Sequence, residues 1–212
     1  MERCFSGDLG LDKMTNLQTL YLRHGYSWVG SCGLQKLTQL RKLYLRGYSD
    51  PSFKNSYEFY PSNLVELKLE FCFLREDPML TLDKLPNLRV LKLMTNSYIG
   101  NKMTCSSGGF SQLEFLKLEH LYALEELKVE ERAMPTLKTL QIVLCYKMKT
   151  LLHELLKLKN LQRVNLGSMD DELIQEIETT EGEEFDKIRG ITSIIKHQEN
   201  FNLLRTLEGI VF

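Results

Sequence analysis

Residues 64–72 read LVELKLEFC, with leucines at Leu64, Leu67 and Leu69 and a cysteine, Cys72, eight residues past the first. The same spelling returns as LRKLYLRGY from Leu40, LRVLKLMTN from Leu88 and LKTLQIVLC from Leu137. With the first leucine as marker, the unit LxxLxL recurs at Leu17, Leu40, Leu64, Leu88, Leu113, Leu137 and Leu161, at intervals of 23, 24, 24, 25, 24 and 24 residues. A chain that repeats itself at such a period builds one supersecondary unit per copy and stacks the copies, because no single copy buries its own apolar face.

The second and third apolar positions hold as well: Leu20/Leu22, Leu43/Leu45, Leu67/Leu69, Leu91/Leu93, Leu116/Leu118, Leu140/Ile142 and Val164/Leu166. Apolar residues at period two make a short strand that buries one face and shows the other to water. Three residues before each unit stands another apolar or proline residue, Met14, Leu37, Pro61, Leu85, Phe110, Met134 or Leu158, where the chain turns into the strand. Period and pattern predict an α/β fold of the leucine-rich-repeat type. The expected form is a right-handed solenoid or horseshoe with short parallel strands on its concave face and a helical C-terminal cap.

The ninth place of each unit is where such repeats carry Asn or Cys. It is held by Cys72, Asn96 and Cys145, and by Gly25, Tyr48, Leu121 and Met169 in the other copies. Asn there would satisfy backbone groups in the turn leaving the strand, and Cys fits as a small, readily buried residue with a weak S–H donor. Cys72 and Cys145 are therefore expected in the core.

The five cysteines are odd in number and lack CxxC spacing, which supports neither a disulfide framework nor a zinc site. The N-terminal stretch MERCFSGDLGLDKM has no apolar signal core, no run is long and apolar enough to span a membrane, and no Asn-x-Ser/Thr acceptor occurs. A reducing, cytoplasmic location is the expectation. The four histidines, His24, His120, His153 and His197, stand outside any HExxH, GxSxG or paired metal spacing, so the chain is read as no enzyme. His120 follows Glu119 directly, and as adjacent residues on a strand the two are expected to point to opposite faces.

Net charge is −1 but unevenly placed: residues 1–169 carry 23 Lys+Arg against 17 Asp+Glu, and residues 170–212 carry 4 against 11. The organisation expected is a lead-in over residues 1–13, seven repeats over 14–169, and an acidic cap and tail over 170–212. In the cap, Asp170 or Asp171 would start a helix whose Leu173, Ile174 and Ile177 form an apolar stripe, with Glu172 favourable near its N-terminus. Residues 191–212 are apolar enough to pack but show no repeat. Nothing in the lead-in looks like a polar-faced cap, which favours a segment of a longer protein; a free-standing adaptor or decoy is the alternative.

The stretches CSSGGFSQLEFLKL from Cys105, LEEL followed by EERAMPTLKTLQI, and DKIRGI near the end are more specific than any generic repeat. With them, residues 14 to about 195 resemble the C-terminal repeats of plant nucleotide-binding leucine-rich-repeat disease-resistance proteins of the coiled-coil class. That resemblance implies a part in innate immunity: recognising pathogen-derived proteins or guarded host proteins, and holding a nucleotide-binding switch inactive. The chain itself has no GxxxxGK[ST] loop, and CSSGGF lacks a following lysine, so it is read as a turn. No cofactor is expected here, since ATP or ADP would belong to a nucleotide-binding domain absent from this chain.

Binding would fall to the residues between the buried leucines. The fifth-place column reads Tyr21, Tyr44, Lys68, Lys92, Lys117, Gln141, Asn165, and the seventh-place column Arg23, Arg46, Glu70, Met94, Glu119, Val143, Gly167. Tyr21, Arg23, Tyr44 and Arg46 are of the types that anchor protein interfaces. Lys68, Lys92 and Lys117 should stand in a row, with Glu70 and Glu119 beside them. The partner expected is a protein, either the receptor's own switch or a pathogen-derived or guarded host protein. Nucleic acid is not expected, because no basic cluster extends past the groove. The isolated domain should be a monomer.

Overall fold

The computed structural model describes residues 13–14, 16–23, 34–47 and 57–195. Most of the expected lead-in, Cys4 and Cys32, Gly25 and Tyr48, and the tail beyond Ile195 lie outside them. Each LxxLxL unit forms one strand of a single sheet: β1 (Thr19–Arg23), β2 (Lys42–Arg46), β3 (Glu66–Glu70), β4 (Val90–Leu93), β6 (Phe115–Glu119), β8 (Thr139–Val143) and β9 (Arg163–Gly167). All neighbours pair in parallel and in the register of the repeat, so that Leu20, Leu43, Leu67, Leu91, Leu116, Leu140 and Val164 stand in one column. From Leu43 on, that column is fully buried. Each buried leucine adds roughly 1.5–3 kcal/mol, part of it from contact with the repeats on either side. The turn positions Leu37, Pro61, Leu85, Phe110, Met134 and Leu158 are buried too, whereas Met14, at the end of the array, is exposed.

The sheet runs one strand further than the seven units. β10 (Thr192–Ile195) pairs parallel to β9 with Thr192 opposite Val164 and Ile194 opposite Leu166. Between them lie α3 (Asp171–Thr179) and α4 (Glu183–Ile191). Asp170 is the N-cap of α3, its carboxylate accepting from the Glu172 and Leu173 amides, and Leu173, Ile174 and Ile177 are buried as the stripe predicts. The second helix packs on α2 (Leu152–Leu156), with the Phe185 ring edge-on to His153 at 5.8 Å.

The return path of the chain carries little helix. Short helical turns, among them α1 (Met79–Leu82), alternate with a second, two-stranded parallel sheet, β5 (Lys102–Cys105) beside β7 (Glu126–Val129). Met103, Cys105, Leu127 and Val129 point inward from it. Both its edges are closed by carboxylates: Asp77 accepts the Thr104 amide at 2.7 Å and Glu154 the Val129 amide at 2.5 Å. The CSSGGF stretch is a tight turn, as read from its glycines. Gly108 sits at φ 72, which favours glycine, and a Cβ on Gly109 would stand 2.9 Å from the Cβ of Asp83.

Cys72, Cys105 and Cys145 are all buried. The Cys72 thiol lies 3.8 Å from the Leu45 carbonyl of the preceding repeat and 3.6 Å from the Glu70 carbonyl; Cys145 repeats the arrangement on Leu118 and Val143. Burial pushes the Cys145 thiol up to about 12, and that of Cys105 higher still, so both are neutral thiols. Asn96 departs from expectation. Its unit is followed by the 25-residue interval, and the extra residue falls in this turn: Asn96 takes the left-handed conformation (φ 49) that Phe71, His120, Leu144 and Ser168 hold one place earlier in their units. The inward position passes to Ser97, which is fully buried.

A hydrogen-bonded ladder between repeats does exist, at a different place. The side chains of Asn63, Asn87, Thr136 and Asn160, each directly before a first leucine, donate to Thr38, Ser62, Ser111 and Pro135 carbonyls of the repeat before, at 2.6, 3.0, 3.2 and 2.6 Å.

Candidate functional site

Pleating sends the third, fifth and seventh residues of each unit to the side of the sheet away from the leucines. The register sets Tyr21, Tyr44, Lys68, Lys92, Lys117, Gln141 and Asn165 in one row, and Arg23, Arg46 and Glu70 in the row beside it, where Glu119 also lies further along. All nine candidate residues therefore share one face. Five of them, Tyr21, Tyr44, Lys68, Lys92 and Lys117, line a groove of about 470 Å³ together with Met94, Phe115 and Gln141, whereas Arg23, Arg46, Glu70 and Glu119 lie outside its lining.

At the β1 end the Tyr21 and Tyr44 rings stack, centroids 4.3 Å apart and planes within 8°, somewhat closer than the spacing of about 4.7–4.9 Å between neighbouring strands. Tyr21 is 68% exposed. Arg46 lies over the Phe71 ring, 5.2 Å from its centroid, and 3.9 Å from Glu70. Lys68 pairs with Glu70 at 3.1 Å and Lys117 with Glu119. Two of the three lysines in the row are thus tied down by carboxylates of the flanking column.

Lys92 breaks the pattern. Its ammonium reaches across the strand pair to Glu66 at 2.6 Å, and Glu66 also meets Lys42 at 3.6 Å. Glu66 occupies the third place of its unit, a column not read for function above, and it is the carboxylate at the centre of the face. Burial by itself raises its pKa, but the Lys92 ammonium, the Tyr44 hydroxyl and Lys42 outweigh that and hold the carboxyl below its ordinary value. In return burial first, and then the Glu66 carboxylate, push the Tyr44 phenol well above its usual range, so it stays a hydrogen-bond donor. The readable signal was alternation itself: whatever holds for fifth and seventh places holds for the third.

His120 is placed differently from expectation. It leaves the strand at φ 54, which swings its Nδ1 to 3.4 Å from Glu119 instead of to the opposite face, and its ring stands edge-on to Tyr122 at 5.8 Å. Among the described residues no group of His, Cys, Asp and Glu could hold a metal ion, and no helix is long and apolar enough to cross a membrane.

A solenoid of parallel strands whose leucines face in and whose charged and aromatic residues face out defines a repeat module, and comparison with known proteins places it. The chain belongs to the family described as leucine-rich repeat region, whose model matches residues 6–189. It is similar to disease-resistance proteins of Arabidopsis thaliana. A putative disease resistance protein is 39% identical over 137 residues, 65% of this chain and 15% of that protein. Probable disease resistance protein RF45 is 51% identical over 94 residues, 44% of this chain and 9% of that protein. Disease resistance protein RPP8 is 36% identical over 135 residues, 64% of this chain and 15% of that protein. The chain thus spans about a seventh or less of the relatives it matches. The resemblance read from CSSGGF and EERAMPTL is shown by these matches.

Proposed function

We propose that this chain is the protein-interaction region of a plant innate immune receptor and that it acts through the open face of its eight-stranded sheet. Docked on that face is either the receptor's nucleotide-binding switch, held inactive, or a pathogen-derived or guarded host protein. A cytoplasmic setting fits this role. The observation that carries the reading is the alignment of Tyr21, Tyr44, Lys68, Lys92 and Lys117 on one groove-forming face of a chain similar to disease-resistance proteins. Charge on such a face supplies orientation and a salt-dependent association rate more than raw affinity. Aromatic anchors and the groove's apolar lining supply contact area.

Reversing Lys68, Lys92 and Lys117 to Glu tests the proposal. The three are only partly buried, so the array should stay folded by circular dichroism. Co-precipitation of the chain with the nucleotide-binding fragment of a disease-resistance relative should fall by about tenfold or more, as expected when like charges are set against a complementary surface. Equal capture by the reversed and the native face would remove this face from the interaction.

A further inference from the structure

We infer that the groove around Met94 seats a short acidic segment of a partner protein in which a large apolar side chain stands between carboxylates. The inference rests on the interaction role proposed above and adds the chemistry of the occupant. Lys68 and Lys117 both lean to the seventh-place row, where Glu70 and Glu119 hold them. Lys92, between them, goes the other way to Glu66, because the seventh place of its own unit is Met94 and offers no carboxylate. The seventh-place row therefore has a gap in its ion pairs at Met94; the patch it opens on is made of groove-lining residues, Met94 with Tyr44 and Phe115, and Lys92 stands 6.0 Å from the Phe115 ring centroid.

Cations outnumber carboxylates around that patch. Glu66 is shared by Lys42 and Lys92, Glu70 by Arg46 and Lys68, and Glu119 takes Lys117, which leaves five cations against three carboxylates. The side chains of Lys68, Lys92 and Lys117 remain 31%, 32% and 25% exposed. An ammonium has three N–H donors, so each can donate to a ligand carboxylate without giving up its internal partner. The internal pairs also fix the lysine rotamers, so less side-chain freedom is lost on binding. An apolar side chain on the patch with acidic neighbours on either side would meet Lys68 on one strand and Lys117 two strands away. A polyphosphate would gain the same cations but would have to run past Glu66, Glu70 and Glu119.

The test is fluorescence anisotropy of the full 212-residue chain with three labelled peptides of equal length: one centred on Asp-Phe-Asp, one with alanine for the phenylalanine, one with lysine for both aspartates. The first should bind, and each change should weaken it by about tenfold or more, with steep loss as salt rises. Met94→Glu puts a carboxylate where the row has its gap and should abolish binding with an unchanged melting profile; Lys117→Gln, which adds no charge, should weaken it several-fold. Equal binding of the three peptides, tighter binding of a single-stranded oligonucleotide, or full binding by folded Met94→Glu would overturn the inference. If the three-lysine reversal blocks capture of the nucleotide-binding fragment while no peptide discriminates, the interaction face stands and this occupant is wrong. If that reversal also changes nothing, both readings fall.

Discussion

Glu66 shows how one residue links the stability of the sheet to the chemistry of its face. Its side chain is only 11% exposed and would be costly there as a bare charge, yet Lys92 at 2.6 Å, Lys42 at 3.6 Å and the Tyr44 hydroxyl compensate it. A carboxyl that ionises more readily in the folded than in the unfolded chain adds stability above its unfolded pKa, about 4, and that contribution is lost as pH falls through the lower folded value. Glu66→Gln should therefore destabilise the protein at pH 7, by roughly 1 kcal/mol, since Lys92 is able to turn back to water. The difference between variant and native protein should shrink through the acid range below about pH 4. Urea denaturation at a series of pH values measures it, and a constant difference from pH 7 into acid would show that the ion pairs add nothing. Alternation alone puts Glu66 on this face, but its pairing with Lys92 is not legible in the sequence: the two are separated by a whole repeat, and only the register brings them together.

At the scale of elements, what holds neighbouring repeats in register besides leucine packing is the ladder from the residue before each first leucine. Asn87 donates to the Ser62 carbonyl at 3.0 Å from an exposed position, so Asn87→Ala should cost about 0.5–1.5 kcal/mol, read as a lower denaturation midpoint at unchanged slope. Asn87→Asp keeps the shape, removes the donor and sets a carboxylate against a carbonyl, and should cost at least as much. If both variants match the native midpoint, the ladder is ornamental to stability. Asn16, Asn63, Asn87 and Asn160 stand directly before first leucines in the sequence, but asparagine there has no partner until the register sets a carbonyl of the preceding repeat beside it. The strands were legible because leucine alternation at a fixed interval has one solution, a stacked parallel sheet. The second sheet was not, because KMTC and ELKV are too short for four-residue alternation to single them out. β10 was not, because Thr192 stands where the column asks for leucine; there the pairing is imposed by β9 and by the helices that deliver the chain to it. The lysine row and its flanking glutamates were legible from the same alternation that revealed the strands, whereas the diversion of Lys92 depends on which neighbour lies across the pleat.

The whole molecule is a one-dimensional stack, and its stability is a sum of repeats and of the interfaces between them. Leu91 stands at the middle of the column, fully buried between Leu67 and Leu116. Leu91→Ala leaves a cavity at two interfaces at once and should cost about 2–5 kcal/mol. Leu91→Asp goes further, burying an unpaired carboxylate between Leu67 and Leu116, and should prevent the array from folding as one unit. The native chain should then show one cooperative transition in circular dichroism, Leu91→Ala the same transition at lower denaturant, and Leu91→Asp a split or absent one, because the repeats on either side lose the surface against which each is stable. A Leu91→Asp protein with native melting would mean that the leucine column does not bear on folding, and with it the register that aligns Tyr44, Lys68, Lys92 and Lys117 would lose its support. The face depends on the core in this strict sense: no exposed side chain of the groove is placed by its own local structure, and each is placed by the buried leucines on either side of it in the strand.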